Sequence, residues 1–132
     1  MTRRHPHAVT AIRDRSTFQA LRRPAGRGAR GPVKVAYLPP LSTTTGDVLT
    51  RVGYSVGRSC GNAVQRNRLR RRFRAAVRQS AGTLPAGCYL LRAEPAAAEL
   101  PYGPLVEAVA GAMTDAARSA ETRREGPREA PQ

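Results

Sequence analysis

Acidic residues are missing from the middle of this chain. Only nine of the 132 residues are acidic, against 23 basic ones, and none of the nine lies between Asp47 and Glu94. That stretch carries ten arginines, so the net charge of +14 belongs to the N-terminal and central parts of the chain. A central region without carboxylates cannot hold catalytic metal ions by itself, and its charge indicates a polyanionic partner.

Histidine and cysteine are equally scarce. The two histidines, His5 and His7, lie near the N-terminus, and Cys60 and Cys88 have no metal-ligand spacing. We find no Gly-rich phosphate loop or nucleophile elbow either, so the residues argue against a self-sufficient nuclease. The two thiols are expected to be small buried residues rather than a disulfide.

Long apolar runs are also absent. No segment approaches the ~20 apolar residues that span a bilayer, and the N-terminus lacks the apolar core of a secretory signal. The 40% of hydrophobic residues suffices for one folded domain with a modest core. We therefore expect a soluble, cytoplasmic protein without a membrane partner.

The most informative segment that is present runs over residues 66–78, which hold seven arginines and no acid. At 100° per residue, four apolar residues form one stripe that would dock on a sheet. They are Leu69, Phe73, Ala76 and Val77. Arginines also recur every four residues along one edge of that stripe, although like charges at this spacing destabilise an isolated helix. A merely solvated face usually interleaves Glu with the basic residues, so we interpret this helix as a polyanion-binding surface.

The rest of the chain predicts short strands and two further helices. A capping box formed by Ser16 and Gln19 predicts a first helix from about Ser16 to Arg23, followed by a loop over residues 24–32. Alternating apolar residues predict strands over 33–38 and 48–57, separated by a turn at 42–47 and paired antiparallel as neighbours.

Residues after the second strand complete this prediction. Asn62 is the expected N-cap of the basic helix, which should end in a loop over 80–87. A buried strand follows over 88–93, and a helix should begin near Pro104 with Leu105, Val109 and Met113 on its core face. Residues 1–12 should be a flexible basic arm, and residues 118–132 a disordered tail.

The segment from Val52 to Arg74 resembles the signature of the bacterial ribonuclease P protein subunit. It contains a Gly-x-Ser-Val strand end, then Gly-Asn-Ala-Val, then Arg-Asn-Arg and a basic helix-forming run. The resemblance covers about residues 10–117 and implies an RNA-binding domain over 13–117. Its implied fold is α+β, a sandwich of αβββαβα topology similar to the second domain of ribosomal protein S5. It also implies a left-handed β-α-β crossover, where sequence reasoning alone favours the right-handed form.

The function that this resemblance implies belongs to a ribonucleoprotein. A catalytic RNA removes the 5′ leader of precursor tRNA with Mg²⁺ that is bound mainly by the RNA, and the protein assists as an accessory subunit. The implied partners are the catalytic RNA and precursor tRNA, and no protein partner is inferred. A structural ribosomal or architectural nucleic-acid-binding protein is the alternative that the basic composition leaves open.

Position by position, the resemblance also implies site residues. Those matching RNA-binding positions are Ser55, Arg58, Arg66, Asn67, Arg68, Arg70, Arg71 and Arg74. Phe18 and Tyr37 match aromatic residues of a cleft that receives the leader. This chain departs from the family pattern at Arg22, which stands where a second cleft aromatic is common, and at Phe73 and Ala75. The first departure leaves more of leader recognition to charge.

Overall fold

The computed structural model describes residues 9–40 and 50–129, with side chains up to residue 123. The regular elements in chain order are β1 (Val9–Ala11), α1 (Arg15–Ala20), β2 (Gly26–Arg30), β3 (Val33–Leu38), β4 (Thr50–Ser55), α2 (Ala63–Ser80), β5 (Gly87–Ala93) and α3 (Tyr102–Glu129). From α1 onward this order is αβββαβα, which confirms the implied topology, with β1 as an additional strand in front. The turn predicted at 42–47 lies outside the described residues.

All five strands form one sheet in the order β1-β4-β5-β3-β2. The expected antiparallel pairing of β3 with β4 is wrong, because β5 lies between them, antiparallel to β3 and parallel to β4. Helix α2 carries the chain back along the sheet, so β4, α2 and β5 form a β-α-β unit of adjacent parallel strands. This is the unit to which the family resemblance assigns a left-handed crossover.

Helices α2 and α3 cover one face of the sheet. The predicted apolar stripe of α2 is buried there, with Phe73 and Ala76 fully excluded from solvent, and so is the predicted core face of α3. Tyr89 and Leu91 of β5 are both fully buried beneath the helices. Because the stripe of α2 is fixed in this core, its arginines stand at fixed positions on the outer surface.

Asn62 caps α2 as expected. Its side chain accepts a hydrogen bond from the backbone N–H of Gln65 at 2.9 Å, and the Gln65 side chain accepts one from the N–H of Asn62 at 2.8 Å. Gly61 precedes this capping box at φ 125°, where a Cβ would also overlap Gln65. The Gly-Asn pair therefore fixes where the arginine helix begins.

The first helix is capped by Asp14 and not by Ser16, which corrects the predicted capping box. The Asp14 carboxylate accepts hydrogen bonds from the Thr17 N–H at 2.9 Å and from the Ser16 hydroxyl at 2.7 Å. With the Thr17 hydroxyl as the largest cause, these bonds lower the pKa of Asp14 well below its usual range. A carboxylate satisfies more donors than a serine hydroxyl, so the helix starts one residue earlier than expected.

The predicted loop over 24–32 contains β2, an edge strand without any β-branched residue. Its glycines allow α3 to approach the strand backbone, since a Cβ on Gly26 would overlap the carbonyl oxygen of Ala116 and one on Gly28 that of Ala112. Close packing against a small-residue stripe of α3 thus replaces the usual side-chain packing of a strand. Sequence alternation gives no signal for such a strand.

Both ends of the described chain are more ordered than predicted. Residues 9–11 of the expected flexible arm form β1, which pairs in parallel with β4, whereas residues 1–8 of the arm lie outside the description. Helix α3 begins two residues before Pro104 and continues to Glu129 through most of the expected disordered tail. Ala120 is buried beside Gly26, which shows that the helix is still packed there. Neither long helix of the described ranges has an apolar stretch that could cross a membrane.

Candidate RNA interface

The outer face of α2 carries most of the predicted RNA-binding residues. Asn67, Arg68, Arg71 and Arg74 are exposed, and Arg66 and Arg70 are half-buried beside them. Ion pairs of the described residues all lie elsewhere: Arg30 with Asp115, Lys34 with Glu94, and Arg51 with Asp14. The guanidinium groups of α2 consequently keep their charge available for an outside anion.

Three arginines of α2 are oriented by contacts within the protein. Arg70 donates from Nη1 to the Asn67 side-chain oxygen at 2.8 Å, and Arg74 lies over the Tyr54 ring, 5.6 Å from its centroid. Arg72 donates to the backbone carbonyl of Leu100 and is therefore partly withdrawn from the outer surface. These contacts reduce the side-chain freedom that binding would otherwise remove.

Ser55 and Arg58 occupy the connection that leads into α2. Ser55 is the last residue of β4 and Arg58 opens a short 3-10 turn over Arg58–Cys60, and both side chains are exposed. Together with the α2 residues they place all eight predicted RNA-binding side chains on the β4–α2 connection and on the helix itself. These residues are neighbours in the chain, but Ser55 follows Tyr54, whose ring contacts α2, so the Ser55 side chain faces the other side of the sheet.

Phe18 and Tyr37 are not brought into one cleft. Tyr37 points into the core beneath α2 and α3, where it is 5% exposed and donates to the Ala86 carbonyl at 2.6 Å. Phe18 lies on the opposite face of the sheet, where its ring covers Gly53. Side chains alternate between the faces of a strand, so Ala36 and not Tyr37 faces the same side as Phe18.

A basic groove of about 580 Å³ lies on this α1 face. We call it the α1 groove; its cationic lining residues are Arg22, Arg27, Lys34 and Arg92. Its floor is apolar and includes Leu21, Ala36 and Leu90. Sequence reasoning missed this set, although the alternation of Lys34 with Val35 and of Arg92 with Leu91 already separates the groove face from the buried face.

Neither cysteine contributes an exposed thiol to these surfaces. Cys60 and Cys88 are free and buried, as the sequence predicted. Burial raises the pKa of the Cys88 thiol, which keeps it protonated and unreactive. Over the described ranges, no group of three or more histidine, cysteine or acidic side chains comes together in a way that could hold a metal ion.

Comparison with known proteins finds similarity over most of the described fold. The model of the Ribonuclease P family matches residues 7–117. The ribonuclease P protein component of Thermobifida fusca is 40% identical over 119 residues, which cover 87% of this chain and 78% of that protein. That of Bartonella quintana is 42% identical over 81 residues, covering 59% of this chain and 57% of the relative.

Solved structures show the same fold at lower identity. The RNase P protein of Staphylococcus aureus superposes with a TM-score of 0.63 at 21% identity. The superposed part covers 75% of this chain and 87% of the Staphylococcus aureus chain. The RNase P protein of Thermotoga maritima gives a TM-score of 0.64 at 20% identity over 75% of this chain and 90% of its own.

Proposed function

This chain belongs to the Ribonuclease P family, and from that premise we propose that it is the protein subunit of a ribonuclease P ribonucleoprotein. In this role it binds the catalytic RNA through α2 and the 5′ leader of precursor tRNA through the α1 groove, in the cytoplasm. The observation that carries the proposal is a docked helix with seven arginines in 13 residues, none of which pairs with an acid in the described structure.

Binding of the catalytic RNA follows from the charge and geometry of α2. Arginines that neutralise phosphates release condensed counterions, so the affinity should fall by roughly 10³- to 10⁵-fold between 50 and 200 mM salt for ~6 to 10 contacts. The guanidinium fork also meets a phosphate with two parallel hydrogen bonds. Because the apolar stripe docks on the sheet, the guanidinium groups of α2 are held at fixed spacings. They can therefore match a particular arrangement of phosphates rather than a single charge.

The α1 groove suits a single strand of RNA. Its cationic rim can neutralise phosphates, while the apolar floor offers a surface for unpaired bases, whichever they are. Phe18 stands on the same face with 37% of its surface exposed and is the one aromatic of the predicted pair that can contact a base there. Leader binding therefore rests mainly on charge and is expected to tolerate many leader sequences.

The cleavage chemistry is assigned to the RNA. Among the described residues no three histidine, cysteine or acidic side chains come together, so this part of the protein offers no cage that would hold a Mg²⁺ ion by itself. Mg²⁺ held by the RNA would supply the activated water and stabilise the leaving oxygen. The protein's arginines reduce repulsion between two phosphate-rich molecules, so less Mg²⁺ is needed to bring them together.

A three-arm cleavage assay tests this proposal. Protein alone, its cognate ribonuclease P RNA alone and the mixture are each incubated with precursor tRNA at low Mg²⁺. We expect cleavage in the mixture, little with RNA alone and none with protein alone. Equal cleavage with and without protein would favour the structural ribosomal alternative, in which case the protein should copurify with ribosomal RNA. Cleavage by protein alone would identify a nuclease and contradict the proposal.

A further inference from the structure

A second basic groove lies at the other edge of the sheet, between β1 and α2. It has a volume of about 370 Å³, and we call it the β1 groove. Its lining residues are Val9, Thr10, Ala11, Val52, Tyr54, Arg74, Arg78 and Ala81. Val52 belongs to the core beneath the helices, so this groove opens on the face opposite the α1 groove. Because the two grooves lie on opposite faces, one extended ligand chain cannot pass straight across the sheet from one groove into the other.

The Tyr54 ring forms part of the wall of the β1 groove and makes two contacts with α2. The Tyr54 ring packs on Phe73 with 6.3 Å between centroids and 24° between planes, and the Arg74 guanidinium lies over the Tyr54 ring. Burial raises the pKa of Tyr54 to about 12, so the phenol stays neutral at any physiological pH. The ring therefore holds Arg74 by cation–π attraction and leaves its N–H groups free of any acidic partner in the described structure.

Arg78 adds a second cation to the same wall. It stands one helical turn beyond Arg74, about 6 Å along the axis of α2. Its side chain is exposed, and none of the described ion pairs includes it. The family resemblance assigns no role to Arg78 or Tyr54, yet both line one groove with an arginine that it does assign to RNA.

The composition of the groove favours RNA over a peptide. A peptide that added a strand to the sheet would need a longer edge than the three residues of β1. The lining contains two arginines and no acid, which fits a chain of phosphates. Arg66, Arg70, Arg74 and Arg78 follow one another every four residues along α2, so the groove continues the surface already proposed for the catalytic RNA.

We propose that the β1 groove binds a phosphodiester segment of the catalytic RNA, with Arg78 and Arg74 as the phosphate contacts and Tyr54 as the residue that positions Arg74. This inference rests on the proposed function and extends it to a second contact on the far side of α2. The RNA would then wrap over the C-terminal half of the helix to the sheet edge, away from the leader.

Matched variants test the contacts through RNA affinity. The full-length protein is titrated with its cognate ribonuclease P RNA at several salt concentrations. Arg78→Ala should lose affinity several-fold, and the slope of log affinity against log salt concentration (the salt slope) should become shallower by about 1. Arg123→Ala removes an exposed arginine of α3 and should bind as wild type does. Tyr54→Leu should reproduce the loss seen with Arg74→Ala without adding to it, and Tyr54→Phe should restore the affinity because the ring remains.

Two controls keep these outcomes separable. Arg78 is exposed and belongs to none of the described ion pairs, so its variant remains interpretable even if Tyr54→Leu is unstable in thermal unfolding. Wild-type protein that fails to bind the RNA would contradict the proposed function itself. Wild-type protein that binds while Arg78→Ala binds equally well, with the same salt slope, would overturn only the β1 groove; such a result would leave this surface to a protein partner.

A tethered cleavage reagent identifies the RNA in the groove. Ala11 pairs with Val52 and faces the same side of the sheet, so an Ala11→Cys variant places an exposed thiol on the rim of the groove, and both native cysteines are buried. Iron-EDTA attached at position 11 should cut the catalytic RNA at a confined site in the complex with precursor tRNA, and the same reagent at Arg123→Cys should not cut there. Cuts in the precursor tRNA alone, or in neither RNA, would overturn the proposal.

Discussion

The guanidinium of Arg72 donates a hydrogen bond to the backbone carbonyl of Leu100 and thereby ties α2 to the segment that leads into α3. Its neighbour Arg71 is exposed and points away from the sheet. Two adjacent arginines in one basic run thus have different roles. One stabilises the packing of the helix, and the other is free to contact RNA.

Separate replacement of Arg71 and Arg72 should distinguish an effect on folding stability from an effect on RNA affinity. We expect Arg72→Ala to lower the free energy of unfolding by about 1–2 kcal/mol, because a partly buried carbonyl loses a charged donor. Arg71→Ala should leave stability unchanged and weaken RNA binding. Urea denaturation and RNA titration of both variants measure these effects. Equal stability of the two variants would show that the Leu100 contact does not hold the helix.

Arg68 offers a direct measure of phosphate contact on α2. Its side chain is exposed near the start of the helix, so Arg68→Ala should not affect folding. We expect a lower affinity for the catalytic RNA together with a salt slope that is shallower by about 1. A lower affinity with an unchanged slope would mean that Arg68 acts through a base or through neighbouring side chains.

Phe18 and Tyr37 should respond in opposite ways. Phe18→Ala is expected to weaken binding of precursor tRNA relative to mature tRNA, because the exposed ring lies on the leader-binding face. Tyr37→Phe should lose about 1 kcal/mol of stability with the hydrogen bond to Ala86 and leave that ratio unchanged. The affinity ratio is the decisive quantity, since a general loss of folding would lower both affinities alike.

The contact between β2 and α3 should be intolerant of side chains. Gly28→Ala would force its Cβ against the carbonyl oxygen of Ala112, and we expect a loss of about 1–3 kcal/mol or more. Gly57→Ala is the matched control, because nothing lies within 4 Å of that position. Thermal unfolding of the two variants should show a large decrease for the first and little change for the second.

Asp14 makes the stability of α1 depend on pH at the acid end. Its pKa is lowered in the folded state, so its contribution is complete above its ordinary pKa of 3.8 and is lost as the pH falls through the lower folded value. We expect Asp14→Ala to unfold at a lower temperature than wild type at pH 6, and the difference to shrink below about pH 4. A difference that is constant down to pH 2 would contradict this assignment.

The sequence predicted the elements whose signals are local. The α2 stripe, the Asn62 cap and strand β3 all follow from periodicity or from capping within a few residues, and the structure confirms them. The position of β5 between β3 and β4 could not be predicted this way, because it depends on pairing between residues far apart in the chain. Neighbouring strands usually pair, and here the α2 crossover prevents it.

The difference between the expected and the observed position of Tyr37 also has a physical cause. Tyr37 matched an aromatic cleft position, but a shift of one residue along a strand moves a side chain to the other face of the sheet. The sequence did not predict the extension of α3 past residue 117, because small residues such as Ala116 and Ala120 give no strong hydrophobic pattern. They pack tightly only because β2 presents glycine to them. The sequence therefore predicted the exposed arginines of α2 as neighbours on one helix, whereas the separation of Phe18 from Tyr37 depends on which face of the sheet each residue occupies.

The central position of β5 also governs when this protein can fold. Because β5 joins β4 to β3, the sheet cannot close until residue 93 has left the ribosome, by which time the whole arginine helix, which precedes it in the chain, has already emerged. Until then the apolar stripe of α2 has no complete surface to dock on, and the repulsion among its arginines opposes helix formation. A polyanion that binds the emerging segment would relieve this repulsion, so RNA present during synthesis should accelerate folding.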